Sequence, residues 1–312
     1  MKHSLYFALV ALLLAAGCTK ESGIQNPGSS DTVEALFSLC LNGPQTKAFA
    51  DGLTATRLIV GVYDKELGYI SNLSVSPESA DHKTAFAQNS ASFSVRLVKG
   101  HGYDIVFLAV APDNGVYTVD LANATLTAKV DGASNLEARD AFYALYSVDR
   151  VTEAITMSVS LKRPLAQINV ITNKSDYEAA IAAGVEFEKS SLKIKAPKVL
   201  NLLDGTVGSS VDYTLSAQAM PQLHPNFAPY QAQEDYWILT DYILASPNGS
   251  TSDVTFGIYA KGSADELFSQ SVPNVPLKRN WRTNIVGNVL TVNGQFTLTV
   301  EPGFTDESEV TL

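Results

Sequence analysis

From about residue 31 onward, apolar and polar side chains alternate with a period of two along much of the chain. In "ITMSVSLKRP", Ile155, Met157, Val159 and Leu161 alternate with Thr156, Ser158, Ser160 and Lys162. Successive side chains of a strand point to opposite faces, so this pattern predicts one wet face and one buried face. "FSVRLVKGHGYDIVFLAVAP" predicts two strands. Phe93, Val95 and Leu97 face inward, "KGHG" turns the chain, and "YDIVFLAV" is apolar enough for a central strand. "RLIVGVYD", "SLKIKAPKV", "DVTFGIYAKG" and "GQFTLTVEPG" follow the same pattern. Breakers such as "PDNG", "VDGAS", "LLDG" and "SPNGS" separate them at spacings typical of a sandwich. Helical signals are few. Ser175 with Glu178 forms a capping-box pattern closed by Gly184, and Ser263 with Glu266 is a weaker match that marks a turn as readily as a helix. The expectation is an all-β fold with one or two short helices. A long alternating strand runs into "KRPLAQINV" near the middle of the chain, which suggests two sandwich domains, 32–160 and 161–312.

The first residues break this pattern. Lys2 is followed by an apolar run from Leu5 to Ala16. That run is too short to cross the roughly 30 Å hydrocarbon core, which needs about 20 helical residues, but it suits the core of a signal peptide. Leu14-Ala15-Ala16-Gly17-Cys18 resembles the bacterial lipobox, in which the cysteine thiol becomes acylated. The expectation is a lipoprotein signal peptide over 1–17, a lipid anchor at Cys18, and a flexible tether "TKESGIQNPGSSD" reaching Asp31. The alternative is an ordinary secretory peptide with a cysteine there by chance. The other cysteine, Cys40, lies in the apolar run "VEALFSLCLNG" and reads as a small buried hydrophobe.

Charge narrows the partners. There are 22 Lys and Arg against 32 Asp and Glu, a formal net charge of −10. Such a chain repels nucleic acid and anionic headgroups, so neither is expected as a partner. With 46% hydrophobic and 17% charged residues, it has the composition of a globular protein with a large core.

No catalytic constellation can be assembled. His3, His82, His101 and His224 are scattered without ligands at metal spacing. There is no Gly-x-Ser-x-Gly elbow, P-loop or dinucleotide fingerprint. The expectation is a protein that is not an enzyme and carries no cofactor or metal.

Two segments are candidates for binding. In "APYQAQEDYWILTDYIL", Tyr230, Tyr236 and Trp237 beside Glu234 and Asp235 suit stacking on sugar rings. They suit a core equally, because Tyr236, Ile238 and Thr240 share one strand face and Trp237, Leu239 and Asp241 the other. "LKRNWRTN" groups Lys278, Arg279 and Arg282 in an acidic protein. It reads either as a docking patch for an acidic neighbour or as internal pairing, with Arg282 on a carboxylate and Trp281 packed.

Several stretches in order resemble the Bacteroidales fimbrillin-like lipoproteins, most closely the branch known as DUF6562. They are "TKAFADGLTATRLIVGVYD" (46–64), "LVKGHGYDIVFLA" (97–109), "NLEARDAFYA" (135–144), "LKRPLAQINV" (161–170) and "VPLKRNWRTNIVGNVLT" (275–291). The resemblance implies two transthyretin-like β-sandwich domains in series and no catalysis. It also implies, for stalk members, polymerisation by donor-strand exchange. A protease removes the first strand, and an extended segment of the next subunit fills the groove by β-augmentation.

This sequence departs from that pattern at the processing site. No arginine precedes Arg57, which lies inside a predicted strand, and Lys47 is the nearest basic alternative. An unprocessed member would keep "DTVEALFSLCLNG" (31–43) as its own first strand. The acidic tail with Asp306, Glu307 and Glu309 would be a donor segment or a frayed end. The resemblance therefore implies a lipid-anchored protein of the outer membrane or cell surface, a fimbrial anchor or subunit with a structural or adhesive role. Its partners would be the membrane and other fimbrillin-like subunits. The alternative is a monomeric lipoprotein that binds a glycan or host ligand.

Overall fold

A computed structural model describes residues 31–41, 51–77, 86–112, 115–221, 235–291, 296–301 and 310–311. In the first half the strands are β1 (Thr32–Leu41), β2 (Arg57–Asp64), β3 (Gly68–Tyr69), β4 (Ser90–Val98) and β5 (Tyr103–Val110). Next come β6 (Tyr117–Asp120), β7 (Thr125–Ala128), β8 (Asp131–Ala133), β9 (Phe142–Val148) and β10 (Ile155–Leu161). The second half holds β11 (Leu165–Asn173), helix α1 (Lys174–Ala182), β12 (Phe187–Pro197), β13 (Val199–Asn201), β14 (Ser210–Ala219) and β15 (Asp235–Leu244). It closes with β16 (Ser250–Ala260), β17 (Glu266–Leu277), β18 (Arg282–Gly287), β19 (Phe296–Glu301) and β20 (Val310–Thr311). Single 3₁₀ turns stand at Ser71–Leu73 and Glu137–Arg139. The fold is all-β with short helices, as the periodicity predicts.

In the first sandwich, the sheet β10-β1-β4 faces the sheet β3-β2-β5-β9. β1 points Ala35, Phe37, Leu39 and Leu41 into this core, against Leu58, Val60 and Val62 of β2 and Ile105, Phe107 and Ala109 of β5. β5 pairs with both β2 and β9 and is buried on both faces, which explains the near-continuous apolar run "YDIVFLAV". Its other face, with Val106 and Leu108, joins a second core that continues into the second half of the chain. There the sheet β15-β11-β18-β19-β20 is layered with the sheet β17-β16-β12-β14-β8.

Two strands cross between the halves. β8, from the first, extends the second-half sheet by pairing in parallel with β14. β13, from the second, pairs with β7 in the small sheet β13-β7-β6.

Three local expectations change. Cys40 is exposed, because β1's inward parity belongs to Ala35, Phe37, Leu39 and Leu41 and so turns Leu36, Ser38 and Cys40 outward. In β10, Met157 shares a face with the half-buried Val159 yet is 40% exposed. The capping box does not form, because α1 begins two residues early, at Lys174, with Asn173 rather than Ser175 as its N-cap. Asp176 instead accepts bonds from the Thr172 hydroxyl and the Leu290 amide and pins the loop after β18. The weaker capping match is a turn, in which the Asp265 amide donates to the Ser263 hydroxyl.

Candidate functional site: the seated first strand and the buried charges at the midpoint

β1 is the middle strand of its sheet. It runs antiparallel to β4, from Thr32 opposite Val98 to Cys40 opposite Ser90, and parallel to β10, from Ala35 opposite Ile155 to Leu41 opposite Leu161. Both of its edges are therefore hydrogen-bonded, and Ala35, Phe37, Leu39 and Leu41 are buried to 6% exposure or less. Phe37 stands at the centre, with ring centroids 5.1 Å from those of both Phe107 and Tyr146 and 6.4 Å from Phe93. Ala35, Phe37, Leu39 and Leu41 fill successive positions between the two sheets. Removing β1 would leave a groove whose walls are the facing edges of β4 and β10 and whose floor is β2 and β5.

Arg57 opens β2 opposite Val110 and is half-buried. Cys18, Lys47, Tyr230, the tether and the tail carboxylates Asp306, Glu307 and Glu309 lie outside the described residues.

Behind β9, at the midpoint of the chain, the second half meets a group of buried charges. Asp140 and Arg163 are fully buried and joined twice, Nε to Oδ1 and Nη2 to Oδ2, each at 2.7 Å. The Arg163 guanidinium also lies 4.3 Å from the centroid of the Phe142 ring. Burial pulls the Arg163 pKa down and the Asp140 carboxylate more than offsets it, so the guanidinium stays charged. Burial pushes the Asp140 pKa up, against the pull of Arg163 and, more weakly, of Arg282, which is 3% exposed.

Beside this pair, Arg139 approaches Asp241 at 3.4 Å. Burial pushes the Asp241 pKa up to about 6, against the pull of Arg139 and of the Tyr242 and Asn135 amides. Asn135, at φ 55, adopts the left-handed conformation that asparagine tolerates, and its side chain spans the Thr240 amide, the Ser190 hydroxyl and the Gln218 carbonyl. Tyr242 donates to Glu137 at 2.7 Å. Segments 134–140, 163, 190, 241–242 and 282 are thereby tied through polar groups removed from water. Bonds of this kind are costly to leave half-made, so the network fixes one arrangement of these segments.

The binding candidates are placed as follows. Tyr236 is half-buried and stacked on Tyr177 of α1, with centroids 4.1 Å apart and planes within 6°. Trp237, also half-buried, points to the opposite face, opposite Ile171 of β11. Lys278, Arg279 and Arg282 separate by role. Lys278 is exposed and sits 3.6 Å from the centroid of the Trp281 ring. Arg279 donates to the carbonyls of Gly205 and Ala245, and Arg282 is inside.

Sequence reading missed Asp140, Arg163, Arg139 and Asp241 as a unit. The available signal was a carboxylate in the otherwise apolar strand "WILTDYIL" and three arginines at the edges of apolar runs. Among the described residues no group of three His, Cys, Asp or Glu side chains could hold a metal ion, and no helix is long and apolar enough to cross a membrane.

The family described as "Family of unknown function (DUF6562)" matches residues 27–312. Among solved structures, a fimbrial assembly protein from Parabacteroides distasonis is similar, at 13% identity and a TM-score of 0.45, covering 90% of this chain and 100% of that one. The fimbrial anchor protein Mfa2 from Porphyromonas gingivalis is similar at 12% identity and a TM-score of 0.41, covering 86% of this chain and 96% of the other. No curated protein matches the chain.

Proposed function

The chain belongs to the DUF6562 family, and from that premise we propose a lipid-anchored, non-enzymatic protein of the outer-membrane surface, fimbrillin-like, with a structural or adhesive role. The observation that carries this reading is the seating of β1. The tether after Cys18 runs directly into Thr32, so a load on the lipid enters the fold along β1. Inter-strand hydrogen bonds lie across the strand direction, and β1 has them on both edges. A pull along the strand loads those bonds together rather than one after another. That is the mechanical requirement of an anchor, and it holds while β1 stays in its own groove.

The same geometry supports a processed stalk subunit if the chain is cut at Lys47 or Arg57. A cut at Lys47 would leave β2 whole, whereas one after Arg57 would remove the first residue of β2. A second reading is a stand-alone surface lipoprotein that binds a glycan or host ligand, and the cationic groove described below favours it.

Mass spectrometry of the N-terminus, on protein from the cell envelope and from sheared surface material, tests the proposal. The anchor reading expects an acylated Cys18 in the envelope and, in the Cys18→Ser variant, release of the protein from the membrane fraction. A chain beginning after Lys47 or Arg57 in sheared filaments would replace the anchor by a stalk subunit. Unmodified Cys18 with unchanged membrane association would remove the lipid from the account.

A further inference from the structure

A groove of about 490 Å³ opens where the β9 and β10 side of the first sandwich meets the turn before β18. Its walls include Tyr143, Lys162, Pro247, Arg279, Asn280 and Trp281. The volume falls within the roughly 300–1,000 Å³ typical of ligand pockets. Lys162, Arg279 and the Asp140-paired Arg163 line it, Lys278 stands beside it on the Trp281 ring, and no carboxylate lines it, in a protein whose net charge is −10. Among the described residues, Lys162, Lys278 and Arg279 make no ion pair. Arg279 is half-buried and bonded only to backbone carbonyls of Gly205 and Ala245, and burial lowers its pKa without a carboxylate to restore it. Asp204, adjacent to Gly205, accepts from the Thr206 amide and hydroxyl, and its charge reaches the Tyr143 hydroxyl.

The turn that carries these groups is fixed. Asn280 sits at φ 62, its amide donates to the Leu165 carbonyl at 2.7 Å, and the Trp281 amide donates to Lys278. Tyr143 is held by its hydroxyl, which donates to the Leu202 carbonyl at 2.8 Å. The two rings and the Arg279 guanidinium are therefore in position before a ligand arrives.

We propose that this groove binds an acidic saccharide, with the Trp281 and Tyr143 rings against sugar faces and Arg279, Lys162 and Lys278 around its carboxylate or sulfate. The choice of a sugar over an extended acidic peptide rests on the backbone. Tyr143 and Lys162 already exchange both of their main-chain hydrogen bonds, at 2.9 and 3.1 Å, which closes the β9 edge to strand addition at that position. Recognition there falls to side chains, and aromatic walls beside the held Arg279 guanidinium suit a ring that bears an anion. The inference names the site and ligand class for the second reading above and does not depend on acylation of Cys18.

Calorimetric titration of the purified protein at low salt tests it, with a hyaluronan hexasaccharide, neutral chitohexaose and hexaglutamate as probes. The expected result is binding of the hyaluronan hexasaccharide with chitohexaose at least tenfold weaker. Lys162→Glu with Lys278→Glu, both at exposed positions, is expected to weaken it by tenfold or more with the thermal midpoint retained, and Trp281→Leu by a similar factor. No binding of the hexasaccharide, or equal binding by the lysine double variant, overturns the site. Hexaglutamate binding as tightly as the hexasaccharide overturns the saccharide class in favour of an acidic peptide. Either result leaves the anchor reading intact, because that is read from the N-terminus.

Discussion

Replacing Asp140 with alanine removes the carboxylate that neutralises Arg163 in a site where both side chains are fully buried. Two effects oppose each other in the intact pair. Each ion loses several kcal/mol of hydration on burial, and their attraction, about 4 kcal/mol at 4 Å and an effective dielectric constant near 20, returns much of that. The variant keeps the desolvation cost of Arg163 and loses both 2.7 Å hydrogen bonds, and it strips Arg282 of a nearby negative charge as well. The expected loss is therefore at the level of a broken buried pair, about 3–5 kcal/mol. In a chain of this size that lowers the thermal midpoint by about 10 °C.

Urea titration followed by circular dichroism measures it. The companion variant, Asp140→Leu with Arg163→Met, removes both charges and keeps the volume, and should return to within about 2 kcal/mol of the wild type. The cycle separates a pair that holds the midpoint together from two residues that merely occupy space. A loss under about 1 kcal/mol for Asp140→Ala, or a double variant whose loss equals that of Asp140→Leu and Arg163→Met added together, would refute the reasoning.

Phe37→Ala empties the centre of the first sandwich and should cost about 4 kcal/mol, read as a lower urea midpoint. A loss near zero would mean that β1 contributes little to holding its groove closed. Asp241 links stability to pH. Its folded pKa of about 6 lies above its usual 3.8, so between these values the folded protein holds a proton that the unfolded chain releases. Stability from this group is thus present below about pH 4 and lost as pH rises through 6. Compared with Asp241→Asn, the wild type should lose about 2 kcal/mol of relative stability between pH 4 and 7. Parallel pH profiles for the two proteins would exclude Asp241 as the source.

Much of the architecture was legible in local pattern. The alternation of Phe93, Val95 and Leu97 foretold the inward face of β4, and the apolar run 103–110 foretold a strand buried on both sides. Cys40 was misread because overall hydrophobicity was weighed above parity. In "ALFSLCL" the outward positions also carry Leu36 and Cys40, and only the alternation set by Phe37 and Leu39 tells which face is the core. At the candidate sites, "RD" and "KRP" were visible as basic and acidic punctuation without their meaning, whereas the internal reading of Arg282 in "NWR" agrees with its burial near Asp140.

The sequence by itself determined the strand class and the faces of most strands, because side-chain parity is a property of a single extended segment. Tertiary structure decided the rest. It placed β1 between β10 and β4, exchanged β8 and β13 across the halves, paired Asp140 with Arg163 and Arg139 with Asp241, and opened the groove beside Arg279. A charge is tolerated in a core only when a partner from elsewhere in the chain reaches it. Which residue that is depends on topology, and no local stretch of sequence contains it.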